Sequence, residues 1–206
     1  MPAESRTWAG TTLTDRRAAR RRQLLDAGLD LLGSDGSAAV SVRAVCRSSK
    51  LTERYFYENF ADRDELVLAV YDGVVKQAHQ ALVGAVDSAG GTPGDRAEAA
   101  VTAFVELIID DPRKGRVLLL APLADPTLNR RGIARIPMFA ELVREQLSGE
   151  VDDADRAMTA TALVGGLANL FSAYLAGGLS VSRDRLVAHC VRLVLGANAL
   201  HSQARD

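Results

Sequence analysis

Aromatic side chains are scarce in this chain of 206 residues: they make up 5% of it, with a single tryptophan, against 48% apolar residues overall. A core with so few rings must be filled by aliphatic side chains, so any cluster of tyrosine and phenylalanine stands out. Cysteine is scarcer still. Cys46 and Cys190 lie far apart, each within an expected helix, and no secretory apolar segment precedes them, so they read as buried thiols of a cytoplasmic protein. His79, His189 and His201 form no HExxH or paired spacing with a cysteine or carboxylate cluster, so no metal, cofactor or catalytic site is expected. The net charge of −1 excludes a uniformly basic architectural protein, and the apolar content excludes a disordered one. The most apolar stretch, following Asp152, carries Asn169 at its middle and Asp, Arg and Thr in its first turns, so a membrane span is not expected.

What charge there is lies unevenly. Six arginines (6, 16, 17, 20, 21 and 22) stand between Met1 and Arg22 against Glu4 and Asp15. This fits a polar arm and a helix start that touch a phosphate backbone, or equally a solvated helix end. A first helix is expected from Thr14 or Asp15, with Leu25, Gly28, Leu29 and Leu32 on its apolar face and Gly33 to Gly36 as its end. A long helix follows from Arg63 to Val86, then a Gly-rich loop and a helix from Asp95. Val117 to Ala124 is wholly apolar, but with no partner strand and with Pro122 inside it, it reads as a short buried helix stopping near Ala121. Pro137 must bend or split a helix running from Pro126 to Ser148. Two further helices, ending near Gly177 and Ser202, complete an all-α chain of about nine helices.

The stretch Ser41 to Phe60 organises the rest. Val42, Val45, Leu51, Phe56 and Phe60 are spaced for one short helix crossing another, a helix-turn-helix, with Ser41 and Thr52 placed to cap the two helices. Glu53, Arg54, Tyr55, Tyr57 and Asn59 crowd a second helix expected over Glu53 to about Asn59. Such side chains reach phosphates and base edges, and a solvated surface helix would also carry them.

The run Leu51-Thr52-Glu53-Arg54-Tyr55-Phe56-Tyr57-Glu58-Asn59-Phe60-Ala61-Asp62-Arg63-Asp64-Glu65-Leu66 closely resembles the recognition helix and following segment of TetR-family transcriptional regulators. Leu51, Thr52, Phe56, Tyr57, Phe60, Glu65 and Leu66 match the family pattern, and the likeness covers about the first third of the chain. Three positions depart from it. Lys50 stands where the family has a turn glycine, Arg63 where it has lysine, and Asn59 where it has an aromatic or histidine. The resemblance implies a DNA-binding head of three helices over residues 1–62 and a ligand-binding and dimerisation body over 63–206. It further implies a homodimer on a palindromic double-stranded operator, of repressor type, modulated by a small hydrophobic effector. By the same resemblance Arg43, Thr52, Glu53, Arg54, Tyr55, Tyr57, Asn59 and Arg63 are the DNA contacts. Residues 53 to 55 face bases; Arg43, Thr52, Tyr57, Asn59 and Arg63 hold phosphates.

In the body, Phe104, Ile108, Leu119, Met138, Phe139 and Leu142 are the candidate ligand-binding residues, apolar and without a charge among them. An apolar stripe of this kind serves a solid core equally well, which leaves open a DNA-binding or partner-binding dimer without an effector. The last two helices carry more apolar surface than one small body can cover. Gly165, Asn169, Ala173, Val187, Val191 and Val194 are therefore the candidate dimer interface. The rival from another class is an all-helical metal-dependent enzyme using Asp110-Asp111 and the Asp152–Asp155 cluster; capping explains those aspartates equally well.

Overall fold

The computed structural model describes residues 13–147 and 152–202, in which every regular element is helical. The N-terminal arm, including Arg6, lies outside the described residues. Helix α1 (Leu13–Asp35) buries Leu24, Ala27, Gly28 and Leu32, a stripe centred one residue earlier than the spacing suggests. A 3-10 turn (Ser37–Ala39) leads to α2 (Val42–Ser49), which Ser41 caps by accepting the Ala44 amide at 3.2 Å.

Helix α2 closes in a Schellman turn. The Leu51 amide donates to the Cys46 carbonyl at 3.0 Å and the Lys50 amide to the Arg47 carbonyl at 3.3 Å, with Lys50 at φ 56° and ψ 32°. This is the left-handed conformation the family's glycine would take without steric cost. Helix α3 (Glu53–Tyr57) follows, two residues shorter than expected, because the Asn59 side chain turns back to donate to the Tyr55 carbonyl at 2.8 Å. Thr52 does not cap it. Its backbone is extended, but its hydroxyl accepts no amide. Phe56, Phe60, Val45 and Leu24 are essentially fully buried together, so the three helices share one small core with Leu66 of the next.

Helix α4 (Arg63–Ala89) starts on Asp62, which accepts the Glu65 amide at 2.8 Å. Helix α5 (Pro93–Val105) starts on a full capping box of Thr92 and Asp95 and continues through a π turn over Glu106–Asp110. Helix α6 runs from Pro112 to Ala124 through a second π turn, Arg116–Leu120. That wide turn lets the helix pass Pro122, with the Ala121 amide donating five residues back to Arg116, so α6 continues beyond the expected stop at Ala121. Helix α7 is split as Pro137 requires, into Pro126–Ile133 and Ile136–Arg144. Helix α8 (Asp153–Leu175) starts on Asp152 and ends in a Schellman turn on Gly177, and α9 (Arg183–Ser202) follows. One apolar cluster extends from Leu24 in α1 to Cys190 in α9, with α4 running through it. Helix α8 is long and apolar enough to cross a membrane by length and composition, with a mean hydropathy of 1.3. Burial pushes the Cys190 thiol up to about 11.

The side chain of Asp125 joins the head to α7. It accepts the Thr127 and Leu128 amides, capping α7, and also the Ser37 hydroxyl, while Arg63 reaches within 3.9 Å. Arg63 in turn donates to the Val40 carbonyl at 3.2 Å and to the carbonyl and hydroxyl of Ser37.

Replacing Lys50 by glycine removes a β-carbon from a left-handed position. Lys50→Gly is expected to raise unfolding stability by about 0.5–1 kcal/mol in a denaturant titration. Burial alone would push the Asp125 carboxyl up, but bonds from Ser37, the Leu128 and Thr127 amides and the nearby Arg63 hold it below its ordinary 3.8. Its contribution is therefore complete above that value and lost as pH falls through the depressed one. Asp125→Asn should lower stability at neutral pH by about 1–2 kcal/mol, and the fall in melting temperature below pH ~4 should become shallower than in the parent.

Candidate nucleic-acid interface and internal cavity

The outward surface of α2 and α3 brings Arg43, Thr52, Glu53, Arg54 and Tyr57 together. The Arg43 and Arg54 side chains are 90% and 84% exposed, and Tyr57 is 57% exposed, a large fraction for an aromatic. Arg43 lies 3.8 Å from Glu53, and Arg54 donates to Glu58 at 3.2 Å, loose surface pairs that water or another anion can replace. Arg47 and Lys50 at the end of α2 are exposed as well, and the sequence reading did not single them out as contacts.

Three residues of the expected contact set sit differently. Arg63 is drawn inward onto Ser37 and Val40, because the chain there offers two carbonyls and a hydroxyl close to its guanidinium. Asn59 spends its amide on α3. Tyr55 is half-buried, with the Arg20 guanidinium 4.4 Å above its ring.

Of the α1 arginines, which suit a phosphate backbone or a solvated helix end equally, Arg17, Arg20 and Arg21 serve α3. Arg17 donates to the Glu58 carbonyl at 2.6 Å and Arg21 to the Asn59 carbonyl at 2.8 Å, with Arg21 also 4.3 Å above the Phe60 ring. Those carbonyls have no partner within so short a helix, and a cation at a helix C-terminus is favourable by about 0.3–1 kcal/mol. The local charge pattern could not show this, since the acceptors lie about 40 residues away in sequence.

Inside the body α4 to α9 line a cavity of about 500 Å³. Of the candidate ligand-binding residues Phe104, Leu119, Phe139 and Leu142 line it, with Phe171, Leu167 and Val101. Ile108 does not; it is fully buried in the core, because the π turn that starts at Glu106 rotates it off the stripe of Phe104. Met138 does not either, since one residue along α7 from Phe139 it points about 100° away. The wall is not wholly apolar, and Arg135 and Tyr71 belong to it. Next to Tyr71, Asp72 accepts a fork from Arg131, with Nε at 2.9 Å and Nη2 at 2.5 Å, and a further bond from Arg135 Nη2 at 2.9 Å. Burial pushes the Asp72 carboxyl up, and these bonds outweigh it, so it lies below the usual carboxylate range. Burial, then the charge of Asp72, pushes the Tyr71 phenol up, which keeps it a protonated donor.

On α8, Gly165 is exposed, Asn169 is exposed where it lines the cavity, and Ala173 is half-buried. On α9, Val187, Val191 and Val194 pack inward against the core with Leu186 and Cys190, and the outward positions are instead Ala188, His189, Arg192 and Leu193. Four of the five aspartates of the enzyme reading are engaged at the surface: Asp110 with Arg183, Asp111 with Arg113, Asp153 with Arg144, and Asp152 as the cap of α8. Among the described residues no group of three or more His, Cys, Asp or Glu is placed to hold a metal ion.

Residues 24–70 match the family of bacterial regulatory proteins, tetR family. Solved structures of similar fold cover nearly the whole chain. A TetR-like transcriptional regulator from Rhodococcus sp. RHA1 is 23% identical with a TM-score of 0.67, over 88% of this chain and 97% of that one. The fatty acid degradation regulator FadR from Bacillus halodurans is 13% identical with a TM-score of 0.70, over 85% and 94%. The multidrug binding protein EbrR, complexed with imidazole, is 19% identical with a TM-score of 0.62, over 84% and 94%. At these identities the likeness is one of fold, and it extends through the body as well as the head. The chain therefore carries the N-terminal domain of the tetR family of bacterial regulatory proteins, and carries it on the fold of TetR-type transcriptional regulators.

Proposed function

We propose that this chain is a cytoplasmic transcriptional regulator, not an enzyme, that binds a palindromic operator as a homodimer and represses until a small, largely hydrophobic effector enters its body. Residues 1–62 form the DNA-binding unit in this reading and residues 63–206 the effector-binding and dimerisation unit. The observation that carries it is the exposed group of Arg43, Thr52, Arg54 and Tyr57 on α2 and α3, held on a rigid core of Phe56, Phe60 and Leu24. Arg54 and Glu53, at the start of α3, are assigned to base edges, and Arg43, Thr52 and Tyr57 to phosphates, with Arg47 and Lys50 added to the phosphate set. Arg63 is assigned to the joint between head and body and withdrawn from the contacts. Asn59 and Tyr55 act by shaping α3.

The effector reading is supported by the cavity of about 500 Å³, within the range of small-molecule sites, and by the multidrug binding protein among the similar folds. Dimerisation is supported by the outward faces of α8 and α9. Met158, Leu193 and Leu195 are exposed there at 62%, 41% and 38%, and a β-carbon on Gly165 or Gly166 meets nothing within 4 Å, leaving room for close helix approach.

Two measurements test these assignments. On duplexes enriched by selection from a random pool, Arg54→Ala is expected to weaken binding by about 1–3 kcal/mol and relax sequence preference. Arg43→Ala should weaken all duplexes alike and reduce the salt slope by about one. Unchanged affinity and salt dependence in both variants would refute the contact surface. For the dimer, Gly165→Glu alters no contact within the protomer, so it should yield folded monomers in sedimentation velocity. An intact dimer would place the interface elsewhere.

A further inference from the structure

Over the cavity lining as a whole Arg96 and Arg135 balance Asp87 and Glu145, but the cluster in which Arg135 takes part carries more positive than negative charge. Two guanidiniums, Arg131 and Arg135, meet the single carboxylate of Asp72. Arg131 satisfies both carboxylate oxygens with a fork, while Arg135 adds one bond through Nη2. The Nε of Arg135 is shut off from solvent and has no hydrogen-bond partner, an expensive arrangement for a charged donor. Arg135 lines the cavity, as does Tyr71, whose phenol oxygen lies 2.9 Å from where a β-carbon on Gly132 would stand. Only glycine leaves that space beside the phenol open. The other charged residues of the lining are Asp87, about 24 Å further along α4 from Tyr71, Arg96 of α5, and Glu145 beyond α7.

We propose that the cavity takes an amphipathic carboxylate, its anionic head held by Arg135 and the Tyr71 hydroxyl and its hydrocarbon part lying against Phe104, Phe139 and Phe171. This rests on the reading of the cavity as an effector site. A carboxylate bonds Arg135 in place of Asp72, and the local surplus of two guanidiniums over one carboxylate selects it over an alcohol or an amine. The ligand then competes with Asp72 for Arg135. Since Asp72 belongs to α4 and Arg135 to the joint in α7, occupancy loosens the attachment of α7 to the helix that begins at the head.

Calorimetric titration of the full chain with decanoate, decanol and decylamine tests the proposal. Decanoate is expected to bind roughly tenfold more tightly than decanol, the scale of one charge-assisted hydrogen bond, and decylamine most weakly. Arg135→Gln should bring decanoate to the level of decanol while leaving decanol unchanged, and Arg135→Lys should retain a preference for the acid. Asp72→Asn removes the internal competitor and should tighten decanoate alone, an effect that a merely structural role for Asp72 would not produce and that does not depend on the Arg135 variants folding. Equal binding of acid and alcohol by the parent overturns the anion site and leaves the effector reading standing. Equal loss of both ligands in Arg135→Gln makes Arg135 a packing residue and also overturns it. Binding of none of the three overturns the effector reading and the anion site with it.

Discussion

The attachment of α7 depends on one carboxylate. Asp125 ends α6, caps α7 and accepts the Ser37 hydroxyl, with Arg63 close behind, so one group of 12% side-chain exposure fixes the start of α7 against both the turn after α1 and the start of α4. Neutral side chains could cap α7 as well, but only a carboxylate has the lone pairs and charge for all of these partners at once. At the far end of the same half-helix a second aspartate, Asp72, draws Arg131 and Arg135 onto α4. The eight residues Pro126–Ile133 are thus pinned at both ends by charge-assisted bonds and bordered on one side by the cavity.

That arrangement gives physical content to the proposed control of the head by the body. A ligand shifts an equilibrium only by its differential affinity for two states. Apolar filling of the cavity changes packing and little else. A group that exchanges a bond at the Asp72 clasp changes how α7 is tied to α4, and α4 shares its first turns with the core of Phe56 and Phe60 through Leu66.

The head was the more legible part of the sequence because its determinants are local. Ser41 caps α2 three residues away, Phe56 and Phe60 lie four apart on one helical face, and Lys50 occupies the left-handed place the family gives to glycine. What failed to show were partnerships across distance. Arg17, Arg21 and Arg63 look from the sequence like cations for phosphate, and each instead meets backbone carbonyls of another element. The body was misread where helical period alone was used. Ile108 follows Phe104 by four residues, but a π turn intervenes, and Val187, Val191 and Val194 form an apolar stripe that packs on the protomer's own core. Nothing in the sequence singles out Arg135, because its partner Asp72 lies 63 residues earlier.

The allocation of charge has a consequence for the proposed complex with DNA. With Arg17, Arg20, Arg21 and Arg63 engaged within the protein, the described cations left facing outward on α2 and α3 are Arg43, Arg47, Lys50 and Arg54, and Glu53 stands among them. Affinity that is independent of sequence grows with the number of phosphates neutralised, at close to one unit of salt slope per contact. With Arg22 of α1, Arg43, Arg47, Lys50 and Arg54 are the described cations open to phosphate in the proposed complex, so a head in a chain of net charge −1 has a modest sequence-independent term. Its binding must then draw more heavily on base edges read by the short α3 and on the simultaneous docking of two heads. Two-fold symmetry doubles the number of phosphate contacts only where both half-sites are correctly spaced, so weak heads joined in a dimer favour a palindrome over single half-sites. In the proposed complex the internal use of Arg17, Arg20 and Arg21 therefore holds the end of α3 and leaves fewer cations for the non-specific term.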